Sequence, residues 1–158
     1  MRPSIILGSL ALALFIGIGI YLFPLNPNIL HLQFAFSESE FQAVLSKWQP
    51  DGVSLYRAHF PADFLFMILY AVSGYRYGME RAPALRFQPL LSAVIKWALP
   101  LTAVADAAED LLHILILSSA MVSVRMVYLL SGISSSLKWL GIFIFFAATV
   151  NAMRKRTE

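Results

Sequence analysis

The stretch LTAVADAAEDLLHILIL, residues 101–117, decides how this chain folds. It is mostly apolar, yet four ionisable side chains recur in it at spacings i, i+3, i+4 and i+7. These are Asp106, Glu109, Asp110 and His113. In an α-helix this spacing places all four side chains on one face. A charge near the middle of a membrane helix costs about 2.5–3.5 kcal/mol on insertion scales, so this face requires partners from other helices. The pattern predicts a helix bundle with a polar interior.

The composition of the whole chain indicates a membrane protein. Of 158 residues, 59% are apolar and 13% are charged, which is too few polar residues to cover the surface of a soluble domain. The chain has no cysteine, so disulfides and thiol chemistry are excluded. The net charge of +3 comes from basic residues that flank apolar runs, where membrane topology explains them better than nucleic-acid binding.

Four apolar runs are long enough to cross a bilayer as helices. The predicted spans cover residues 4–23, 57–75, 93–119 and 126–150. The first run is too long for a secretion signal and lacks a small-residue cleavage pattern, so we expect it to remain in the protein. The predicted fold is an all-α integral membrane protein, a four-transmembrane-helix bundle that forms a single transmembrane domain over residues 1–158.

A short interfacial helix is expected between the first and second spans, within the outer segment 24–56. Ser37 and Glu40 have the spacing of a capping box that starts a helix. An apolar stripe follows at helical spacing, formed by Phe41, Val44, Leu45 and Trp48. Two placements fit this stripe equally well: flat on the membrane surface, or packed on the ends of the spanning helices. Residues 50–52, Pro-Asp-Gly, predict a turn that ends the helix.

The basic residues predict the orientation of the spans. Three regions hold 8 of the 12 lysines and arginines: the N-terminus, the connection after the second span, and the C-terminal tail. These residues are Arg2, Arg76, Arg81, Arg86, Lys96, Arg154, Lys155 and Arg156. With four spans all three regions lie on one side, which the positive-inside rule identifies as the cytoplasm. We therefore expect a multi-pass protein of the inner, or cell, membrane with both termini cytoplasmic.

The second span carries polar residues that fit the face of the third. His59 and Asp63 are spaced i and i+4, with Tyr56 and Tyr70 on nearly the same side. Counting residues from the outer end places Asp63 at a depth similar to that of Asp110. Alternatively, Asp63 only caps the first turn of a helix that starts at Pro61. A helix that starts near Ser54 and kinks at the proline is the other reading of this segment.

The fourth span contributes Lys138, at a depth similar to that of Asp106. An ion pair between these two residues is expected, with a structural role as the alternative to a functional one. The pair would leave a separate outer cluster of acids and histidines. That cluster comprises His59, Asp63, Glu109, Asp110 and His113. Among the three acids on the face of span three, Asp106, Glu109 and Asp110, at least one should be protonated, or a cation should lie among them. Arg57 and Arg125 are placed near the outer mouth, available to neutralise the acids or to attract an anion.

Two of these patterns together resemble a known group of proteins. The stretches YRAHFPAD, residues 56–63, and DAAED, residues 106–110, followed by a lysine in the last span, are similar to a group of small bacterial four-span membrane proteins. The pattern of that group is Y-x-x-H/T-x-x-x-D at the start of span two and D-x-x-E-N in span three. Asp110 stands where the group has asparagine, which adds an acid. The resemblance covers spans two to four and implies the four-span fold, but no activity.

Three classes of function fit this arrangement. In the first, the protein is an enzyme or a binding protein for a lipid-like ligand, and the cluster holds a divalent cation or supplies an acid–base pair. The residues with suitable metal donors are His59, Asp63, Asp110 and His113. In the second class, the acids, histidines and lysine form the proton relay of a proton-coupled small-solute carrier. In the third, the protein is a non-catalytic membrane subunit or assembly factor.

The partners expected from these classes are membrane lipids, with a second copy of the chain or another membrane protein as a further partner, and no nucleic acid. The sequence contains no hydrolase, kinase, dinucleotide or P-loop motif. The glycines at positions 17 and 19 lie within an apolar run and do not form a phosphate-binding loop. Serines 134–136 fit helix–helix contact better than nucleophilic chemistry.

Overall fold

A computed structural model describes residues 2–118 and 125–154, and in these ranges the protein is all-α. The helices are α1 (Pro3–Leu22), α2 (Ile29–Gln33), α3 (Glu38–Arg81), α4 (Pro89–Leu117) and α5 (Arg125–Arg154). A short 3-10 helix, Ala82–Leu85, connects α3 to α4. Three predicted features lie outside the described residues: the end of the third span at Ser119, and Lys155 and Arg156 of the basic tail.

Three of the helices, α1, α4 and α5, are long and apolar enough to cross a membrane. The 20 residues of α1 extend about 30 Å, which matches the hydrocarbon thickness of a bilayer. The predicted second span lies inside α3, which is not one of the three, because His59, Pro61 and Asp63 lower its mean hydropathy. The all-α class is therefore confirmed, with three helices of spanning length.

Helix α3 joins the predicted interfacial helix and the predicted second span into one kinked element. Gln49 breaks the helix, with φ 57° and ψ 178°, and helical geometry resumes at Pro50. Proline suits this position because its missing N–H is not needed in the first turn of a helix. The predicted turn at residues 50–52 is therefore wrong, since the chain re-enters a helix there. Asp63 lies well inside this helix, so the reading of Asp63 as a first-turn cap is wrong as well.

The first section of α3 packs on the ends of the other helices. Its capping box is present: the Glu40 amide donates to Ser37 Oγ (3.3 Å), and the Ser37 amide donates to Glu40 Oε2 (3.2 Å). Phe41, Val44 and Trp48 are buried in a core shared with α4 and α5. The sequence left two placements open, flat on the membrane surface or packed on the ends of the spanning helices. The structure has the second, with the apolar stripe against the ends of α4 and α5.

The helices pack in the order α1, α3, α4, α5, each mainly against its neighbours in that order. Glycines let two of these pairs approach closely. A Cβ on Gly78 of α3 would lie 2.4 Å from Lys96 Cα of α4, and one on Gly141 of α5 would lie 2.0 Å from Thr102 Oγ1 of α4. Small residues at such crossings are typical of helix pairs that associate through backbone contact. The crossings hold α3 and α5 against opposite flanks of α4.

Helix α1 is anchored to α3 by hydrogen bonds at its first turn. The Ser4 amide donates to Glu80 Oε1 (3.4 Å), and the Ser4 hydroxyl donates to Glu80 Oε2 (2.7 Å). A carboxylate at this position is favourable because the first amides of a helix have no partner within it. Ser73 Oγ, also in α3, donates a third hydrogen bond to the Ser4 carbonyl (2.9 Å).

Substituting alanine for Gly78 tests the α3–α4 crossing. The added methyl group meets backbone atoms of Lys96, which cannot move aside, so the free energy of unfolding should fall by about 1–3 kcal/mol. Gly17→Ala is the matched control, since a Cβ there meets nothing within 4 Å and alanine favours the helix. Unfolding of both variants in detergent micelles provides the measurement. Equal stability of the two would show that the crossing is looser than described.

Candidate functional site

Polar side chains from α3, α4 and α5 meet in the interior of the protein. The buried members of the predicted set are His59, Asp106, Glu109, Asp110, His113 and Lys138. Asp63 joins them with 15% of its side chain exposed. One donor atom each from His59, Asp63 and Asp110 lies within 4.8 Å of the others, so acids from separate helices do meet, as the depth count indicated. Arg57 and Arg125 are exposed outside this group.

Lys138 makes the strongest electrostatic contacts of the site. Its Nζ lies 2.8 Å from Asp106 Oδ1 and 2.5 Å from Glu109 Oε2. Tyr70 Oη donates to the second oxygen of Asp106 at 3.0 Å. The expected pairing of Asp106 with Lys138 is therefore confirmed, but Glu109, which was placed in the separate outer cluster, belongs to the same ion triad. The i, i+3 spacing on α4 turns both carboxylates toward α5, where one ammonium reaches both.

The close approach of α5 to α4 at Gly141 explains why Lys138 can reach the two carboxylates. Gly141 lies three residues after Lys138 on α5, and Thr102 lies four residues before Asp106 on α4, so the crossing is one helical turn from the ion triad. A side chain at position 141 would push the two helices apart. The triad thus depends on a backbone contact as well as on charge.

His113 is held by hydroxyl groups on both sides of its ring. Tyr56 Oη lies 2.6 Å from Nδ1, and Ser131 Oγ lies 2.6 Å from Nε2. A neutral imidazole has one donor and one acceptor nitrogen, and each hydroxyl can take the complementary role. The ring is therefore hydrogen-bonded by residues of α3 and α5. Both nitrogens are engaged, which leaves the ring no free lone pair for a metal.

Ser131 is a site residue that the sequence analysis did not identify. It is fully buried, and its backbone carbonyl also accepts from Ser135 Oγ at 3.1 Å. Ser131, Ser135 and Lys138 have the spacing i, i+4 and i+7, which places them on one face of α5. Extending the search for polar periodicity from the third span to the fourth would have found this residue.

His59, Asp63 and Asp110 form the part of the cluster that the lysine does not reach; we call it the carboxylate–histidine group. The Nδ1 of His59 donates to the carbonyl of Tyr56, since a carbonyl can only accept, and Nε2 therefore keeps its lone pair. This Nε2 lies 4.0 Å from Asp63 Oδ2. Asp110 Oδ2 is buried and makes no hydrogen bond within the described residues. The group therefore places one unpartnered carboxylate oxygen, Asp110 Oδ2, near the imidazole of His59 and the carboxylate of Asp63.

A second set of possible metal donors, Glu109, Asp110 and His113, has the same spread of 4.8 Å. Glu109 is already paired with Lys138, and the nitrogens of His113 are already hydrogen-bonded. Among the described residues, the carboxylate–histidine group is therefore the better candidate for a metal centre.

Aromatic rings cover the end of the cluster where an opening was expected. The rings of Phe41 and His113 lie 5.2 Å apart between centroids, and those of Phe41 and Tyr128 lie 5.6 Å apart. Trp48 packs beside Tyr56 at 5.2 Å. The first section of α3 supplies two of these rings, Phe41 and Trp48, which pack over this end of the cluster. Asp63 remains the partly exposed member.

The fold and the site together define an all-α protein with three helices of membrane-spanning length and a buried acidic–histidine cluster. No protein-family model matches the chain, and neither the curated proteins nor the solved structures contain a significant match.

Replacing Lys138 with methionine tests the ion triad. The change leaves two buried carboxylates without a cation, and breaking a buried pair in this way costs about 3–5 kcal/mol. Adding Asp106→Asn and Glu109→Gln to Lys138→Met should restore most of the stability, because no unpaired charge then remains. Lys47→Met, at an exposed position of α3, is the control and should change little. Unfolding of wild type and the three variants in detergent measures the difference. If Lys138→Met alone were as stable as Lys47→Met, the ion triad would be contradicted.

Proposed function

We propose that the chain is a four-span membrane protein whose second span lies in residues 50–81 of α3. The outward face of this helix supports the proposal: Leu65, Ile68 and Val72 are 52%, 61% and 41% exposed, although they are apolar. His59 and Tyr70 of the same helix are buried. Apolar residues facing out and polar residues facing in suit a lipid environment, in which polar groups must find partners inside the protein.

Both termini are proposed to be cytoplasmic. The basic residues Arg76, Arg81 and Arg86 follow α3 or lie at its last turns, on the side of the Ser4–Glu80 contact. Lys96 lies over the rings of Tyr75 (5.2 Å) and Trp97 (5.3 Å). Aromatic and basic side chains together are typical of the boundary between membrane and water. This proposal places the kink at Gln49 and the aromatic cover on the outer side.

Single cysteines test this topology cleanly, because the chain has none of its own. Lys47→Cys and Ala84→Cys place one thiol at an exposed position on each proposed side. A membrane-impermeant maleimide should label the first variant in intact cells and the second only in lysed cells or inside-out vesicles. The cysteine-free parent controls for background labelling. Labelling of position 84 in intact cells would reject the proposed orientation.

Within this membrane protein, we propose that the carboxylate–histidine group binds a divalent cation. The observation that carries the proposal is the convergence of one nitrogen and two carboxylates within 4.8 Å, contributed by two helices, with Asp110 Oδ2 buried and without a hydrogen-bond partner among residues 2–118 and 125–154. Imidazole and carboxylate are common ligands of zinc, at about 2.0–2.2 Å from the ion, and carboxylates also suit manganese. Two ligands at this distance from one ion lie at most about 4.4 Å apart, so donors at the limit of the 4.8 Å spread must move closer together to bind it.

The surroundings of His59 support this assignment. A metal-binding histidine usually donates its second N–H to a carbonyl or carboxylate, which sets its tautomer and orientation. The hydrogen bond from His59 Nδ1 to the Tyr56 carbonyl does this and directs Nε2 toward Asp63. A cation would also balance charge, because Lys138 is the one lysine or arginine that pairs with the buried acids among the described residues.

Metal analysis and titration test the cation site. Purified protein, stripped with a chelator, should bind about one equivalent of Zn²⁺ or Mn²⁺ and gain thermal stability with the added ion. Asp110→Asn should weaken binding about tenfold or more, since the loss of even an outer-shell partner costs about 10–100-fold.

Asp51→Asn, an exposed carboxylate on the same helix as Asp63, is the matched control and should bind like wild type. The proposal fails if the purified protein contains no metal and its unfolding temperature is indifferent both to chelator and to added ions.

A further inference from the structure

We propose that the protein binds one phospholipid in two grooves that meet at Arg57, with the lipid phosphate on the Arg57 guanidinium. The inference rests on the proposed membrane placement and is independent of the cation site. It follows from the order of surfaces along the outer half of α3: an apolar groove, a cation, and a polar groove. A phospholipid has the matching order of acyl chain, phosphate and head group.

The apolar groove lies between α3 and α4 and has a volume of about 580 Å³. Apart from Arg57 and a serine at its end, its walls are apolar, formed by Phe60, Pro61, Phe64, Ile114 and Leu117. In the proposed orientation this depth corresponds to the hydrocarbon region just below the outer head groups, where an acyl chain is the available apolar occupant.

The second groove, of about 710 Å³, follows the concave side of the kink in α3. It is the more polar of the two grooves, because four of its eight lining residues are uncharged and polar: Gln42, Ser46, Gln49 and Ser54. Leu45, Pro50 and Val53 complete its lining beside Arg57. Gln42, Ser46 and Gln49 are spaced i, i+4 and i+7, so one face of the helix presents them together. Amide and hydroxyl groups both donate and accept hydrogen bonds, which suits a lipid head group at the membrane surface.

Arg57 belongs to both grooves and is the one charged side chain among their described lining residues. One of its terminal nitrogens donates to the carbonyl of Leu117 at the end of α4, which holds the side chain across the junction. A guanidinium has five N–H donors, and this is the one hydrogen bond that Arg57 makes within the described residues. Phosphate oxygens are suitable partners for the remaining donors, because guanidinium binds them through paired, charge-assisted hydrogen bonds.

Native mass spectrometry of the full chain in detergent tests the proposal with phosphatidylglycerol as the added lipid. Wild type should bind one lipid. Arg57→Gln should bind it at least about tenfold more weakly, because the charge-assisted hydrogen bonds to the phosphate are lost. Arg125→Gln, an exposed arginine outside both grooves, should bind like wild type. Equal binding by Arg57→Gln and wild type would overturn the proposal.

A second pair of variants keeps Arg57 and fills the apolar groove instead. Ile114→Trp places a large ring in the groove and should also lose the lipid, whereas Leu111→Trp, on the exposed face of the same helix, should keep it. Lipid binding that is the same in both tryptophan variants would show that the acyl chain lies elsewhere.

Two further ligands distinguish the source of the phosphate. Diacylglycerol with the same acyl chains should bind much more weakly than phosphatidylglycerol, and equal binding would remove the role of the phosphate. Inorganic phosphate at millimolar concentration should neither displace the lipid nor raise the unfolding temperature; if it does both, the site is for free phosphate. Zn²⁺ titration of Arg57→Gln should match wild type, so failure of the lipid site and failure of the cation site are separately visible.

Discussion

The compensation of buried negative charge on α4 is the constraint on which the rest of the structure depends. Asp106 and Glu109 lie out of contact with water, and Lys138 lies within 2.8 Å of both. In a medium of low dielectric, unpaired charges at this depth would cost several kcal/mol each, so α4 can be buried only where α5 brings its lysine. Contact between Lys138 and these acids in turn requires the close helix crossing at Gly141, because a larger residue there would keep the ammonium away from both carboxylates.

Helix α3 completes the interior and also divides it. The kink at Gln49 lets one helix serve two purposes: its first section covers the bundle end with Phe41 and Trp48, and its second section carries His59 and Asp63 to the face of α4. Lys138 compensates the charges of Asp106 and Glu109, and both ring nitrogens of His113 are hydrogen-bonded, so these contacts stabilise the bundle. Among the described residues no lysine or arginine pairs with the carboxylate–histidine group, and its Asp110 Oδ2 has no hydrogen-bond partner. This contrast supports a ligand-binding role for the group and a structural role for the triad.

The candidate site could be predicted from the sequence as far as helical periodicity reaches. The spacing of Asp106, Glu109 and Asp110 predicted a shared face, and counting residues from the span ends brought Asp63 to the depth of Asp110, where the structure has their oxygens within 4.8 Å. Glu109 was assigned to the outer cluster, whereas it pairs with Lys138, and the hydroxyl partners of His113 were not predicted. Periodicity gives the direction of a side chain relative to its own helix axis, whereas the neighbour it meets depends on how the helices are rotated and how closely they pack.

By itself, the sequence determined that this chain is helical, that its helices are apolar on the outside, and that several of them must share a polar interior. These properties follow from composition and from the 3.6-residue period, which act within each segment. Only the tertiary structure decided that α3 starts its second section at Pro50 and that aromatic rings cover the cluster. It also decided that Lys138 binds two acids, while Asp110 Oδ2 has no hydrogen-bond partner among the described residues. These outcomes depend on distances between segments far apart in the chain, which backbone crossings at single glycines set to within an ångström.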